Sequence, residues 1–155
     1  MARVFIIGGT GFIGSHVGRA CVDAGHDVWV GAGTIRPGLL DDVQDRIQVV
    51  PGDLLRSTEL LEGLCESQPE VVVNCAAYGA VGAGLMLSAQ RSPARAVELN
   101  VGGFTNLLEM LRLLEIPRLV WTGSSVVFGP ASLYGDEAVD EEVVSAPTTV
   151  YGATK

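Results

Sequence analysis

The 155-residue sequence is long enough for one domain with a real core, and its 48% hydrophobic content excludes a disordered chain. A formal charge of −8 would on average repel a nucleic-acid backbone or an anionic bilayer. Apolar runs are short, far below the roughly 20 residues that a membrane-spanning helix needs, so a cytoplasmic protein with neither nucleic-acid nor membrane partners is expected.

The first candidate strand covers residues 3–8 and runs directly into Gly8-Gly9-Thr10-Gly11-Phe12-Ile13-Gly14. Such an apolar start suits a buried strand better than a signal peptide. The glycines satisfy Gly-x-Gly-x-x-Gly from Gly9 and Gly-x-x-Gly-x-x-Gly from Gly8. Glycines at this spacing allow a tight turn, let the backbone approach a pyrophosphate, and let helix and strand pack closely. The helix that follows offers free N–H groups and a partial positive charge to phosphates. Ile13, Val17, Ala20 and Cys21 fall on one face of it, and Gly25 ends it. A dinucleotide is therefore the expected ligand.

The second strand, 27–31, is where a ribose-binding carboxylate would stand, some 20 residues beyond the glycines. Its tip reads Val30-Gly31-Ala32-Gly33-Thr34-Ile35-Arg36, with no carboxylate before Asp41. The missing acid removes repulsion against a 2′-phosphate, and Arg36 could pair with one. The reading of Arg36 as a plain solvent-facing loop residue stays open. NADP is favoured over NAD.

A third strand is expected at 46–50, and Ser57 or Thr58 as the cap of a helix carrying Leu60, Leu61 and Leu64. The fourth strand is placed at Val71–Asn74. Ser92-Pro93 makes a helix start, and the helix would carry Phe104, Leu107, Leu108, Leu111 and Leu114 on one stripe, stopping before Pro117. Gly102 and Gly103 inside it each cost about 1 kcal/mol relative to Ala, so they mark either a close approach or a break. A fifth strand covers 118–122 and leads into Ser124-Ser125. The segment 130–147 is acidic around Asp136, Glu137, Asp140, Glu141 and Glu142; it is a solvated loop or one that borders a substrate. Cys21, Cys65 and Cys75 lack metal or disulfide spacing and are expected as reduced core residues, and His16 and His26 as structural or surface residues. No metal site is expected.

Strands alternating with helices, and near-continuous apolar strands, indicate an α/β fold with a parallel sheet covered on both faces. At the far end, Tyr151 and Lys155 stand four apart, one helical turn from each other. An ammonium held there would stabilise a phenolate and pull the Tyr pKa down.

The glycine turn, Asn74-Cys75-Ala76-Ala77, Ser124-Ser125-Val126-Val127-Phe128-Gly129 and Tyr151-Gly152-Ala153-Thr154-Lys155 together resemble the extended short-chain dehydrogenases/reductases. Within them the chain is most similar to the NAD-dependent epimerase/dehydratase family. The matches keep the family's order and span the whole chain. The resemblance implies a Rossmann-like, doubly wound parallel sheet of order 3-2-1-4-5. Residues 1–155 would form an incomplete NAD(P)-binding domain, truncated before the later strands and the substrate lobe.

The resemblance also implies roles. Gly8, Gly11, Phe12, Ile13, Gly14, Ala76 and Ala77 would line the cofactor, Asp53 with Leu54 would meet the adenine, and Asn100 would support the active site from the central helix. Tyr151 would be the catalytic acid/base, Ser124 would hydrogen-bond the reacting oxygen with Ser125 assisting, and Lys155 would hold the nicotinamide ribose and lower the Tyr151 pKa. Ser125 and Val126 stand where the family's dehydratases carry an acidic pair, which argues against dehydration. Phe128 replaces a common Tyr. The implied chemistry is hydride transfer between NADP or NAD and a secondary alcohol or ketone, including that of a nucleotide sugar. The alternatives are a ketone or aldehyde reductase and a non-catalytic NADP-binding sensor or fragment. A small-molecule substrate and a homodimer are the implied partners, and the isolated chain is expected to turn over negligibly.

Overall fold

A computed structural model describes residues 1–34, 38–79, 82–135 and 138–155. The strands are β1 (Arg3–Ile7), β2 (Asp27–Ala32), β3 (Ile47–Pro51), β4 (Val71–Asn74) and β5 (Leu119–Trp121). The helices are α1 (Phe12–Asp23), α2 (Ser57–Ser67), α3 (Leu85–Arg91), α4 (Pro93–Val97), α5 (Phe104–Leu113) and α6 (Val150–Ala153), with a π-helical turn over Glu98–Gly103. The chain divides into two compact units, Met1–Ala76 with Gly102–Thr122, and Ala77–Val101 with Gly123–Lys155.

The first unit holds the sheet. Its five strands pair in the order β3-β2-β1-β4-β5, all parallel, as expected. The register places Val4 beside Val28 and Val71, and Ile6 beside Val30 and Val73. Val4, Phe5, Ile6 and Ile7 are all buried, because a central parallel strand is covered on both faces. On one face Val4, Ile6, Val28, Val30 and Val73 pack with Val22 of α1 and with Leu40 and Val43. Successive side chains alternate, so Phe5 points to the other face, where α2 packs on β1, β2 and β3. Leu60, Leu64 and Leu107 are fully buried, each contributing roughly 2 kcal/mol by leaving water.

Local chemistry sets the helix ends. Gly25, at φ +78°, closes α1: its N–H donates to the Val22 carbonyl and the His26 N–H to the Cys21 carbonyl. This pair of hydrogen bonds around a left-handed glycine is the usual glycine helix stop. His26 is structural, its Nδ1 accepting the Ala2 N–H at 3.1 Å. The start of α2 differs from expectation. Ser57 is its first residue rather than its cap, and Arg56 caps it with no side-chain bond. A tight turn already orders the approach: Asp53 Oδ1 accepts the Leu55 N–H, and the Asp53 carbonyl accepts the Arg56 N–H. Cys21 and Cys75 are half-buried, but Cys65 is exposed on α2, which corrects its placement in the core.

The glycine pair at 102–103 marks a π turn, not a break. Gly103 lies against Leu54, whose Cβ would stand 2.8 Å from an added Cβ, whereas nothing crowds Gly102. At the sheet edge, Val120 is 55% exposed, and Trp121 stacks on Phe104 with ring centroids 4.9 Å apart.

The second unit contains α3, α4, the Ser125–Phe128 and Ala131–Leu133 3-10 turns, and α6. Its small core is Ala89, Ala96 and Tyr151, flanked by Ala77, Tyr78, Val126 and Val150. Among the described residues no helix is long and apolar enough to cross a membrane, and no cluster of His, Cys, Asp and Glu could hold a metal ion.

Candidate functional site

In the first unit, Gly8, Gly11, Gly14, Asp53, Leu54 and Ala76 follow the carboxyl ends of β1, β3 and β4, where open α/β sheets bind ligands. Gly8 takes φ +72°, and its N–H donates to the Gly31 carbonyl at 2.8 Å. The Gly11 N–H turns back onto the Gly8 carbonyl at 3.0 Å and starts α1 with no side-chain cap. The first N–H groups of α1 therefore lack an intrahelical partner or a capping side chain. A Cβ on Gly14 would lie 2.3 Å from the Gly8 carbonyl oxygen, so glycine alone fits. A Cβ on Gly8 would lie 2.9 Å from the Ala76 nitrogen, which shows how closely the β4 end approaches the turn. Phe12 and Ile13 at the helix start are both exposed. This open backbone cradle fits a diphosphate.

Asp53 stands beside Gly33, where an added Cβ would come within 2.8 Å of its Oδ2. Leu54 is buried next to Gly103, and its carbonyl accepts Asn106 Nδ2 at 3.3 Å. Arg36 lies outside the described residues.

The sequence did not single out Thr10 or the wider role of Asn74. The buried Thr10 hydroxyl donates to the Thr34 carbonyl at 3.0 Å and ties the glycine turn to the tip of β2. Asn74 Oδ1 accepts the Ala76 N–H, and its carbonyl accepts the Thr122 N–H and hydroxyl. A Thr inside a glycine loop and an Asn closing an apolar strand are the signals that could have found them.

The second unit brings together Ser124, Tyr151, Ala77, Asn100 and Lys155. Ser124 is extended at φ −155° and caps the Ser125–Phe128 turn. Tyr151 is buried in the small core, in a four-residue helix capped by Thr149, whose Oγ1 accepts the Gly152 N–H at 3.0 Å. Gly152 lies on the Val126 carbonyl, 2.6 Å from where its Cβ would be. Asn100, in the π turn, donates from Nδ2 to Thr154 Oγ1 at 2.9 Å and accepts the Tyr78 N–H at 2.8 Å. The Thr154 hydroxyl in turn donates to the Tyr151 carbonyl. Asn100 thus holds the α6 turn from below, by side-chain bonds that its sequence position alone did not reveal.

One expectation changes. The Lys155 N–H donates to the Gly152 carbonyl, three residues back. The Tyr151 phenol is pushed above its ordinary value, not below it. Burial penalises the phenolate and outweighs the hydrogen bond from Ser124, which favours it.

That direction fixes a pH dependence. A phenol whose folded pKa is raised keeps its proton in the folded chain after the unfolded chain has lost it. The associated stability is whole below about pH 10 and drains away as pH climbs through the folded value. Urea midpoints measured up the alkaline limb should therefore fall faster for the native chain than for Tyr151→Phe. Parallel curves would contradict the raised pKa.

Residues 4–155 match the sequence profile of the NAD dependent epimerase/dehydratase family. The chain belongs to that family. Among its relatives, protein CapI of Staphylococcus aureus is 30% identical over 162 residues, covering 99% of this chain and 46% of that protein. A UDP-glucose 4-epimerase of Lactobacillus helveticus is 28% identical, covering 99% of this chain and 44% of the relative. The structure of a Brucella ovis UDP-glucose 4-epimerase in complex with NAD superposes with a TM-score of 0.84 at 26% identity, over 99% of this chain and 44% of that one. The chain thus spans under half the length of these epimerase/dehydratase relatives. The family's Rossmann-like sheet is present, and its NAD-linked character supports a nicotinamide dinucleotide as cofactor.

Proposed function

We propose that residues 1–155 form the cofactor-binding part of an epimerase/dehydratase-family enzyme that moves hydride between NAD(P) and a secondary alcohol or ketone of a nucleotide sugar. The observation that carries this reading is Tyr151, buried against Val126 of the turn that follows Ser124, in a chain that also folds an open glycine cradle. The glycine turn and the start of α1 would hold the diphosphate, Asp53 would accept the adenine amino group, and Ala76 and Ala77 would line the cofactor. A bound nicotinamide would supply or accept the hydride.

Tyr151 would take the proton from the substrate hydroxyl as the carbon is oxidised, and return it on reduction. Ser124 would donate a hydrogen bond to the same oxygen and favour the phenolate. Lys155 would hold the nicotinamide ribose and add positive charge near the phenol. With Ser125 and Val126 where an elimination would need acids, epimerisation fits better than dehydration. A homodimer built by helix pairing, and a cytoplasmic setting, belong to the same proposal.

A reductase is the second reading, favoured by the acid-free tip Ala32-Gly33-Thr34 and by Arg36, which together suit NADP. An epimerase retains its cofactor, whereas a reductase exchanges it. Fluorescence titration of the 155-residue chain with NADH and NADPH tests both points. The expected result is weak binding, tighter for NADPH, a gap narrowed by Arg36→Ala, and negligible turnover. Equal affinities would remove the NADP assignment, and no binding of either would remove the cofactor role itself.

A further inference from the structure

The loop between the Ser125–Phe128 turn and α6 is closed by one side chain. The Tyr134 hydroxyl reaches the Phe128 carbonyl at the loop's start and the Val144 carbonyl, 3.2 Å away, near its end. Its single proton is shared between two acceptors sixteen residues apart in the chain. The Tyr134 ring meets Phe128 edge-on, with centroids 6.5 Å apart and an interplanar angle of 88°. Backbone packing continues the same seam. Gly129, at φ +78°, lies on the Ala146 carbonyl, 2.2 Å from its would-be Cβ, and Gly152 lies likewise on the Val126 carbonyl. The turn that follows Ser124 and the segment that leads to Tyr151 are therefore held together at three points. Only one of them, Tyr134, is a side chain.

We propose that Tyr134 is a positioning residue: by clasping the Phe128 and Val144 carbonyls it sets the Ser125–Phe128 turn, and Ser124 at its head, against α6 and Tyr151. The inference rests on Ser124 and Tyr151 as the reacting pair. It explains why a loop rich in acids and solvent-exposed residues carries a tyrosine turned back on its own ends. A backbone seam alone can slide along the chain, whereas a hydroxyl bound to both strands of the loop fixes their register.

The test reads Tyr151 itself and needs no turnover. Tyr78 is the titratable side chain packed in its cluster, and Lys155 follows four residues on. The helices packed on α6 bring Arg91 and Arg95, the latter paired with Glu98 at 2.8 Å. None of these is altered by Tyr134→Phe, which keeps the ring against Phe128 and deletes only the hydroxyl. The Tyr151 phenol is followed by carbon NMR of labelled tyrosine in the full chain, with Tyr151→Phe assigning its signal and circular dichroism confirming the fold.

Ser124→Ala should shift the Tyr151 titration upward, since the bond that favours the phenolate is gone. Tyr134→Phe should shift it in the same direction, and adding Tyr134→Phe to Ser124→Ala should shift it no further. A Tyr151 signal moved by Ser124→Ala but unmoved by Tyr134→Phe would overturn the clasp alone. An equal shift from Tyr134→Phe with and without Ser124 would also overturn it, because general loosening would then be the cause. Loss of the fold in Tyr134→Phe would do the same, by showing that the hydroxyl holds the whole unit. If Ser124→Ala leaves Tyr151 unmoved, the reacting pair itself fails, and the clasp with it.

Discussion

Gly14→Ala should abolish dinucleotide binding and destabilise the chain by about 3 kcal/mol or more. The new methyl would stand 2.3 Å from the Gly8 carbonyl oxygen and 2.6 Å from the Gly9 Cα, both backbone atoms of the phosphate turn. A flexible side chain could swing aside, but a backbone turn that is itself hydrogen-bonded to β2 cannot. Ala normally gains about 1 kcal/mol over Gly inside a helix, which is too little to offset such an overlap. Gly18, one turn further along α1, is the control. A Cβ there meets Leu40 Cδ2 at 3.6 Å, an ordinary contact, so Gly18→Ala should be neutral or slightly stabilising. Urea denaturation and NADH titration of both variants decide the matter. Equal behaviour at the two positions would show that the close approach of α1 to the turn has been misjudged.

Asn100→Ala should cost about 3 kcal/mol, nearly as much, although it introduces no clash. The amide is buried and satisfies a donor and an acceptor at once, the Tyr78 N–H and Thr154 Oγ1. Truncation leaves the part-buried Tyr78 N–H without its acceptor, and an unmet buried donor costs about 1–3 kcal/mol. It also releases Thr154, whose hydroxyl holds the Tyr151 carbonyl. Asn100→Asp separates the two effects, since a carboxylate keeps the acceptor for Tyr78 and loses the donor to Thr154. Chemical denaturation should place it between the native chain and Asn100→Ala. A loss under about 0.5 kcal/mol for Asn100→Ala, as at an ordinary surface position, would mean that water replaces the amide at no cost.

The sheet was legible because its signal is redundant. Val4 to Ile7 and Val71 to Val73 are apolar throughout, as only doubly covered strands are, and the glycine turn states where the first strand must stop. Strand ends differ from expectation by a residue or so. Helix α3 was not anticipated, since Leu85–Arg91 is short and follows a glycine-rich stretch that reads as loop. The π turn was equally silent. Gly102 and Gly103 announced a peculiarity, but the neighbour that Gly103 makes room for is Leu54, distant in sequence. Polar partners such as Thr10 with Thr34 and Asn100 with Thr154 arise from the folded geometry and leave no periodic trace. The Tyr151 pKa went the other way because spacing to Lys155 is visible in a sequence and burial among Ala89, Ala96 and Val126 is not.

The last strand of the sheet has a practical consequence. β5 is three residues long, lies at the end of the pairing order, and shows Val120 and Trp121 to solvent. A short, uncharged border of this kind sets apolar side chains at the rim of a sheet, and proteins ordinarily blunt such borders with lysine or proline. Arg118 and Pro117 guard its beginning, but nothing charged guards Leu119 to Trp121. When the 155-residue chain is handled by itself, its solubility will therefore be governed less by its net charge of −8 than by three residues at one rim.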